Sequence, residues 1–173
     1  LMALKSEASM DILFSVLLTL ILVIINGYFS MSELALISAR RAVLQQKIDE
    51  GSKKAQTAVE LAADSNRLLA AIQVAITLVG FGASAVAATT FSQPLINWLQ
   101  SFNIGWLSTI APGFSVLIIT LVISYVTLIL GELLPKRIAL SNAENVAMQV
   151  AGPIKVFERI ASPLVTLLSA STN

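Results

Sequence analysis

The 173-residue chain contains no cysteine and no histidine. That removes thiolate and imidazole as metal ligands, excludes disulfides and zinc sites, and leaves no ordinary base for a serine nucleophile. Charge is also scarce: 12% of residues are charged and the formal net charge is +1. A nucleic-acid partner would need a basic excess to neutralise its phosphates, and none is present. No GxxxxGK[ST] loop occurs, so this segment does not couple nucleotide hydrolysis to work. The expectation is a protein that is neither an enzyme nor a nucleic-acid binder.

What the chain has is apolar surface. It is 56% hydrophobic with a mean hydropathy of +0.83, far outside the soluble range. The reading is an all-α integral membrane protein with three transmembrane helices. A bilayer core of about 30 Å needs about 20 helical residues, and stretches of that kind lie at about 12–36, 68–91 and 111–134. Interfacial helices on the cytoplasmic side are expected at about 40–63 and 142–170. The first carries a stop signal at Gly51. The second is an apolar stripe of Ala147, Val150, Ile154, Phe157, Ala161, Leu164 and Leu168, broken by Gly152-Pro153 and Pro163. Residues 1–9 read as an expression remnant or a flexible N-terminus. The domain proper is 10–173, and its abrupt end at Asn173 is what a longer protein cut at a domain edge would give.

Orientation follows from the basic residues. Arg40, Arg41, Lys47, Lys53, Lys54 and Arg67 fall in the first connection, whereas residues 92–110 contain none. The positive-inside rule then places the N-terminus outside, the C-terminus in the cytoplasm, and Trp98 and Trp106 in the outer interfacial belt of a cell (inner) membrane.

Each span carries a polar stripe at helical spacing: Asn26, Ser30 and Glu33 on the first, Thr77, Gly80 and Ser84 on the second, and Thr120, Ser124, Thr127 and Gly131 on the third. Small residues at such spacing also serve ordinary helix packing. Glu33 and Glu132 are the only acids inside the spans. For Glu33 the plain reading is an interfacial carboxylate paired with Arg40; the alternative is a second ion ligand or gate. Glu132 is plainly read as a group that snorkels or pairs with Lys136 at i+4.

Against that stands the segment LGELLPKRIA. A carboxylate in a span costs roughly 2.5–3.5 kcal/mol and an interior proline about 3 kcal/mol. Pro135 has no N–H, so the carbonyl four residues back, on Gly131, is expected to stand bare beside Glu132 at a helix kink. Carboxylate, hydroxyl and carbonyl oxygens without sulfur or imidazole make a site for a hard cation such as Mg²⁺, Ca²⁺ or Na⁺. By depth from the flanking basic residues, that site is expected in the inner half of the membrane.

The stretches NGYFSMSELALISARR at 26–41, QVAITLVGFGASAVAATTFSQPL at 73–95 and GELLPKRIA at 131–139 resemble the transmembrane domain of the CorC/cyclin M magnesium transporters. The resemblance covers nearly the whole chain from Met10. It implies a homodimer whose full-length members continue into ATP-binding CBS domains, and an activity of Mg²⁺ export driven by Na⁺. It also implies metal ligands at Ser30, Gly80, Ser84, Gly131 and Glu132. Asn26, Glu33, Thr77, Ser124 and Thr127 are secondary pathway candidates, and Pro135 is the kink. Many members carry an asparagine where Gly80 stands, so a second-helix ligand is replaced here. The expected function is therefore a gradient-driven divalent-cation transporter with no organic cofactor in this segment, working by alternating access around the three helices. The alternatives are an ion-sensing membrane scaffold and, behind it, a cation channel.

Overall fold

In the computed structural model, residues 2–102 and 105–172 are described. The side chains of the set-aside stretch 1–9 and of Leu168 in the C-terminal stripe lie outside the described residues. Among the described residues the chain is all-helical: α1 Met2–Ser38, α2 Arg41–Asp49, α3 Lys53–Ala63, α4 Ser65–Gln100, α5 Gly105–Leu128, a π turn Ile129–Leu133, α6 Leu134–Ser141 and α7 Ala143–Thr172. Three stretches are long and apolar enough to cross a membrane, Ile12–Ser38, Ser65–Gln100 and Thr109–Ser141. They run longer than the apolar windows alone indicate, because the helices continue through their polar ends.

Local chemistry sets the breaks. Gly51 has φ +90°, a conformation that favours glycine. It ends α2, with the Ser52 N–H donating to the Lys47 carbonyl at 2.9 Å, the long back-bond of a Schellman cap. Ser52 then caps α3 by accepting from the Ala55 N–H at 3.3 Å. Asp64 does the same for α4 from the Arg67 N–H at 3.3 Å. Each such cap contributes about 1 kcal/mol.

The packed core sits at one end of the bundle. Ala35 and Leu36 of α1, Leu44 of α2, Ala58 of α3, Leu68 and Ile72 of α4, Ala139 of α6, and Ala147 and Ile154 of α7 form one buried cluster. Fully burying each Leu or Ile there contributes roughly 1.5–3 kcal/mol. Along the spans the pattern reverses. Ile24, Leu78, Leu121 and Tyr125 are all well exposed, which in hydrocarbon carries no penalty.

α7 differs from expectation. The stripe is not interrupted at Gly152-Pro153 or Pro163; both prolines lie inside one continuous helix. Each removes one backbone donor, but tertiary contacts hold the helix through both sites. Glu144 pairs with Arg40 at 2.6 Å, Lys155 with Glu60 at 2.7 Å and Glu158 with Arg67 at 2.9 Å. Phe157 packs on Phe29 of α1 with ring centroids 4.7 Å apart.

Candidate cation site

Members of the polar stripes of all three spans line one cleft of about 480 Å³. α1 contributes Asn26; α4 contributes Thr77, Gly80 and Ser84; α5 contributes Thr120, Ser124 and Thr127; the π turn contributes Glu132. Ile76, Phe81 and Leu128 supply apolar walls. Of the sequence-derived candidates, Ser30, Glu33 and Gly131 do not line this cleft. Ser30 is fully buried beside it in sequence on α1, and its Oγ has no hydrogen-bond partner.

The floor of the cleft is built where α1 meets the π turn. The Leu134 N–H donates to the Ile129 carbonyl, one residue beyond α spacing. α6 then begins at Leu134, so Pro135 occupies its first turn, where a missing N–H costs least. The segment is therefore a π turn and not an unwound kink. The Gly131 carbonyl is not bare either: Asn26 Nδ2 donates to it at 3.0 Å. The proline frees a carbonyl, as the sequence indicates, and an amide from another helix takes it up.

Two glycines allow this approach. A Cβ at Gly27 would lie 2.9 Å from Pro135 Cγ and 3.2 Å from the Leu130 carbonyl oxygen. One at Gly131 would lie 3.1 Å from Asn26 Nδ2. Gly27 is not among the sequence-derived candidates; its place directly after Asn26 is the one signal in the sequence. Gly80 is the contrary case, with nothing within 4 Å of a Cβ built there. Its missing side chain leaves open space in the cleft wall.

The charges also fall differently. Arg40 goes to Glu144, not to Glu33. Lys136 instead lies 2.8 Å from Glu132 and 3.7 Å from Glu33, so one ammonium serves both intramembrane carboxylates. The i+4 pairing of Glu132 with Lys136 is thus present, and two acids share one base. No group of three or more His, Cys, Asp or Glu comes together among the described residues. A cation here would be held by one carboxylate and neutral oxygens. Buried acceptors with no partner are at hand: Asn26 Oδ1 and Thr127 Oγ1, with Ser30 Oγ nearby in the chain. Such atoms cost free energy unless something satisfies them.

Fold and site together define an integral membrane domain of three spanning helices around a polar, acid-bearing cleft. Residues 17–173 match the family model for the cyclin M transmembrane N-terminal domain, and the chain belongs to that family. It is 40% identical over 153 residues to the UPF0053 protein sll0260 of Synechocystis, covering 88% of this chain and 34% of that protein. It is 32% identical over 165 residues to the UPF0053 protein YhdP of Bacillus subtilis, covering 95% and 36%. A protein of Haemophilus influenzae named polyamine export protein is 23% identical over 167 residues, covering 95% and 37%. The chain spans about a third of the length of these relatives.

Proposed function

We propose that this domain serves membrane transport, and specifically that it carries Mg²⁺ outward against its gradient at the expense of Na⁺. The family membership and the relative named as an export protein support the coarser statement. The finer one rests on a single observation: the polar faces of all three spans meet at one cleft that holds Glu132 and orphaned buried oxygens. In this reading Glu132, Asn26 Oδ1 and the hydroxyls of Ser84, Ser124 and Thr127 replace part of the hydration shell of the ion. Mg²⁺ gives up water reluctantly, so it retains some waters in a cleft of this size. Ser30 and the Gly131 carbonyl join when α1 shifts against the π turn, which breaks the hydrogen bond that the Asn26 side-chain N–H donates to that carbonyl. Cytoplasmic ends at the α2–α3 side, assembly as a homodimer, and ATP-binding CBS domains beyond the chain complete the proposal.

The test is flux from sealed vesicles loaded with Mg²⁺, with the full-length protein under an imposed Na⁺ gradient. Parent protein releases Mg²⁺ and Glu132→Gln does not. Equal release from both would overturn the site, and no release from the parent would overturn the function. A second reading, export of an organic polycation, is favoured by the 2.8 Å contact of an alkylammonium with Glu132 and by the name of the Haemophilus relative. Putrescine loaded in place of Mg²⁺ separates the two.

A further inference from the structure

Lys136 is the feature that the transport reading leaves unused. Its Nζ lies 2.8 Å from Glu132 Oε1 and 3.7 Å from Glu33 Oε2. The two acids are not equivalent, because Glu132 lines the cleft and Glu33 does not. The ammonium therefore stands between an acid inside the cleft and one outside it. Lysine suits such a place: it is a compact charge with three donors on a flexible stem, and it accepts nothing.

We propose that Lys136 is a tethered counter-ion that occupies Glu132 when the cleft is empty and moves onto Glu33 when a divalent cation arrives. This rests on the reading of the cleft as a cation site. The movement is short, because the second carboxylate is already within ion-pair distance. It never strands an unpaired ammonium, and it spares the empty cleft an uncompensated carboxylate, which would be costly in a membrane. A cation entering the cleft competes with a covalently attached rival, so its affinity is held low enough for release. Glu33 acquires a role without touching the ion: it positions Lys136 away from the cleft.

The experiment is calorimetric titration of Mg²⁺ into the full-length protein in detergent. Lys136→Gln is expected to bind Mg²⁺ about tenfold more tightly than the parent, and Lys136→Arg close to it. Glu33→Gln, with the lysine intact and no acid to receive it, is expected to bind about fivefold more weakly. Adding Lys136→Gln to Glu33→Gln restores the tight binding. A Lys136→Gln protein that binds no more tightly than the parent overturns the proposal. If that variant does not fold, unchanged affinity in Glu33→Gln does so instead. A parent that binds no Mg²⁺ removes the cation site and this inference together, whereas a binding parent with unmoved variants removes this inference alone.

Discussion

The two ends of the bundle are built on opposite plans. Where α1 ends and α2, α3, α6 and α7 gather, a cluster of buried Ala, Leu and Ile packs the helices together and three ion pairs tie α7 to Arg40, α3 and α4. Along the spans, helices touch closely at Gly27 and Gly131 and then part to leave a polar cleft. The first end is held by ion pairs and apolar packing around a smaller groove of about 320 Å³ lined by Leu36, Leu44 and Val59. The second keeps unpartnered oxygens and open volume, which stability alone would not favour. Under the transport proposal the difference separates the part of the fold that would take a cargo from the part that resists deformation, and each substitution below asks whether that division holds.

The largest effect is expected at the charge in the cleft. Glu132→Gln keeps the shape but removes the charge and one acceptor oxygen from the only carboxylate that lines it among the described residues. Losing one charged interaction of about 1.5–3 kcal/mol corresponds to roughly a 10- to 150-fold fall in cation affinity. Titration of Mg²⁺ measures it, and the thermal midpoint should stay near that of the parent. A large loss of stability with unchanged affinity would place Glu132 with the end gathered around α7.

The glycines give the next contrast. Gly27→Ala drives a Cβ to 2.9 Å from Pro135 and 3.2 Å from a backbone carbonyl, and the backbone side of that contact cannot move aside. Overpacking of this kind costs about 1–3 kcal/mol. Gly80→Ala meets nothing within 4 Å and replaces glycine inside a helix, so it should be neutral or stabilising by up to about 1 kcal/mol. Thermal melting of the two variants side by side decides it. Gly80→Asn fits the same open space and should tighten Mg²⁺ binding by adding an amide oxygen.

A smaller effect is expected on α7. Glu158→Gln removes the ion pair to Arg67, which also holds Ser162 at 2.9 Å. Partly exposed pairs contribute about 0.2–1 kcal/mol. Melting should shift slightly and cation affinity not at all. If affinity moves, α7 couples to the cleft and the two ends are not independent.

The difference between the ends also governs what the sequence could disclose. Span number and helical class follow from apolar length, and the break at Gly51 and the caps at Ser52 and Asp64 follow from local chemistry within a few residues. The polar stripes are local too, since they depend on helical spacing alone. What the sequence misassigned depends on distant partners. Arg40 finds Glu144, 104 positions away, before it can serve Glu33, and Asn26 reaches the Gly131 carbonyl across 105. The π turn is of the same kind, because proline at 135 signals a disturbed helix but not whether the chain unwinds or gains a residue per turn. Continuity of α7 through Pro153 and Pro163 likewise comes from its neighbours on α1, α3 and α4.

Acid should loosen the end gathered around α7. Glu144 is held below the usual carboxylate range by its hydrogen bond and attraction to Arg40, and Glu60 by those to Lys155. A depressed folded-state value means that the unfolded chain binds protons first as pH falls. Stability from these pairs is complete above the ordinary carboxylate value of about 4.3 and fades as pH drops through the lower folded values. The thermal midpoint should thus stay level from neutral pH down to about 5 and decline below about 4. Glu60 is exposed and Glu144, though half-buried, pairs with an exposed arginine at the surface, so the decline is the smallest of these effects. Replacing both acids by glutamine should remove most of it, the remainder belonging to Glu50, which its hydrogen bond and attraction to Lys47 hold low in the same way. If the decline survives in full in that double variant, the acid-sensitive element lies elsewhere, and the ion pairs of α7 are not what holds that end at low pH.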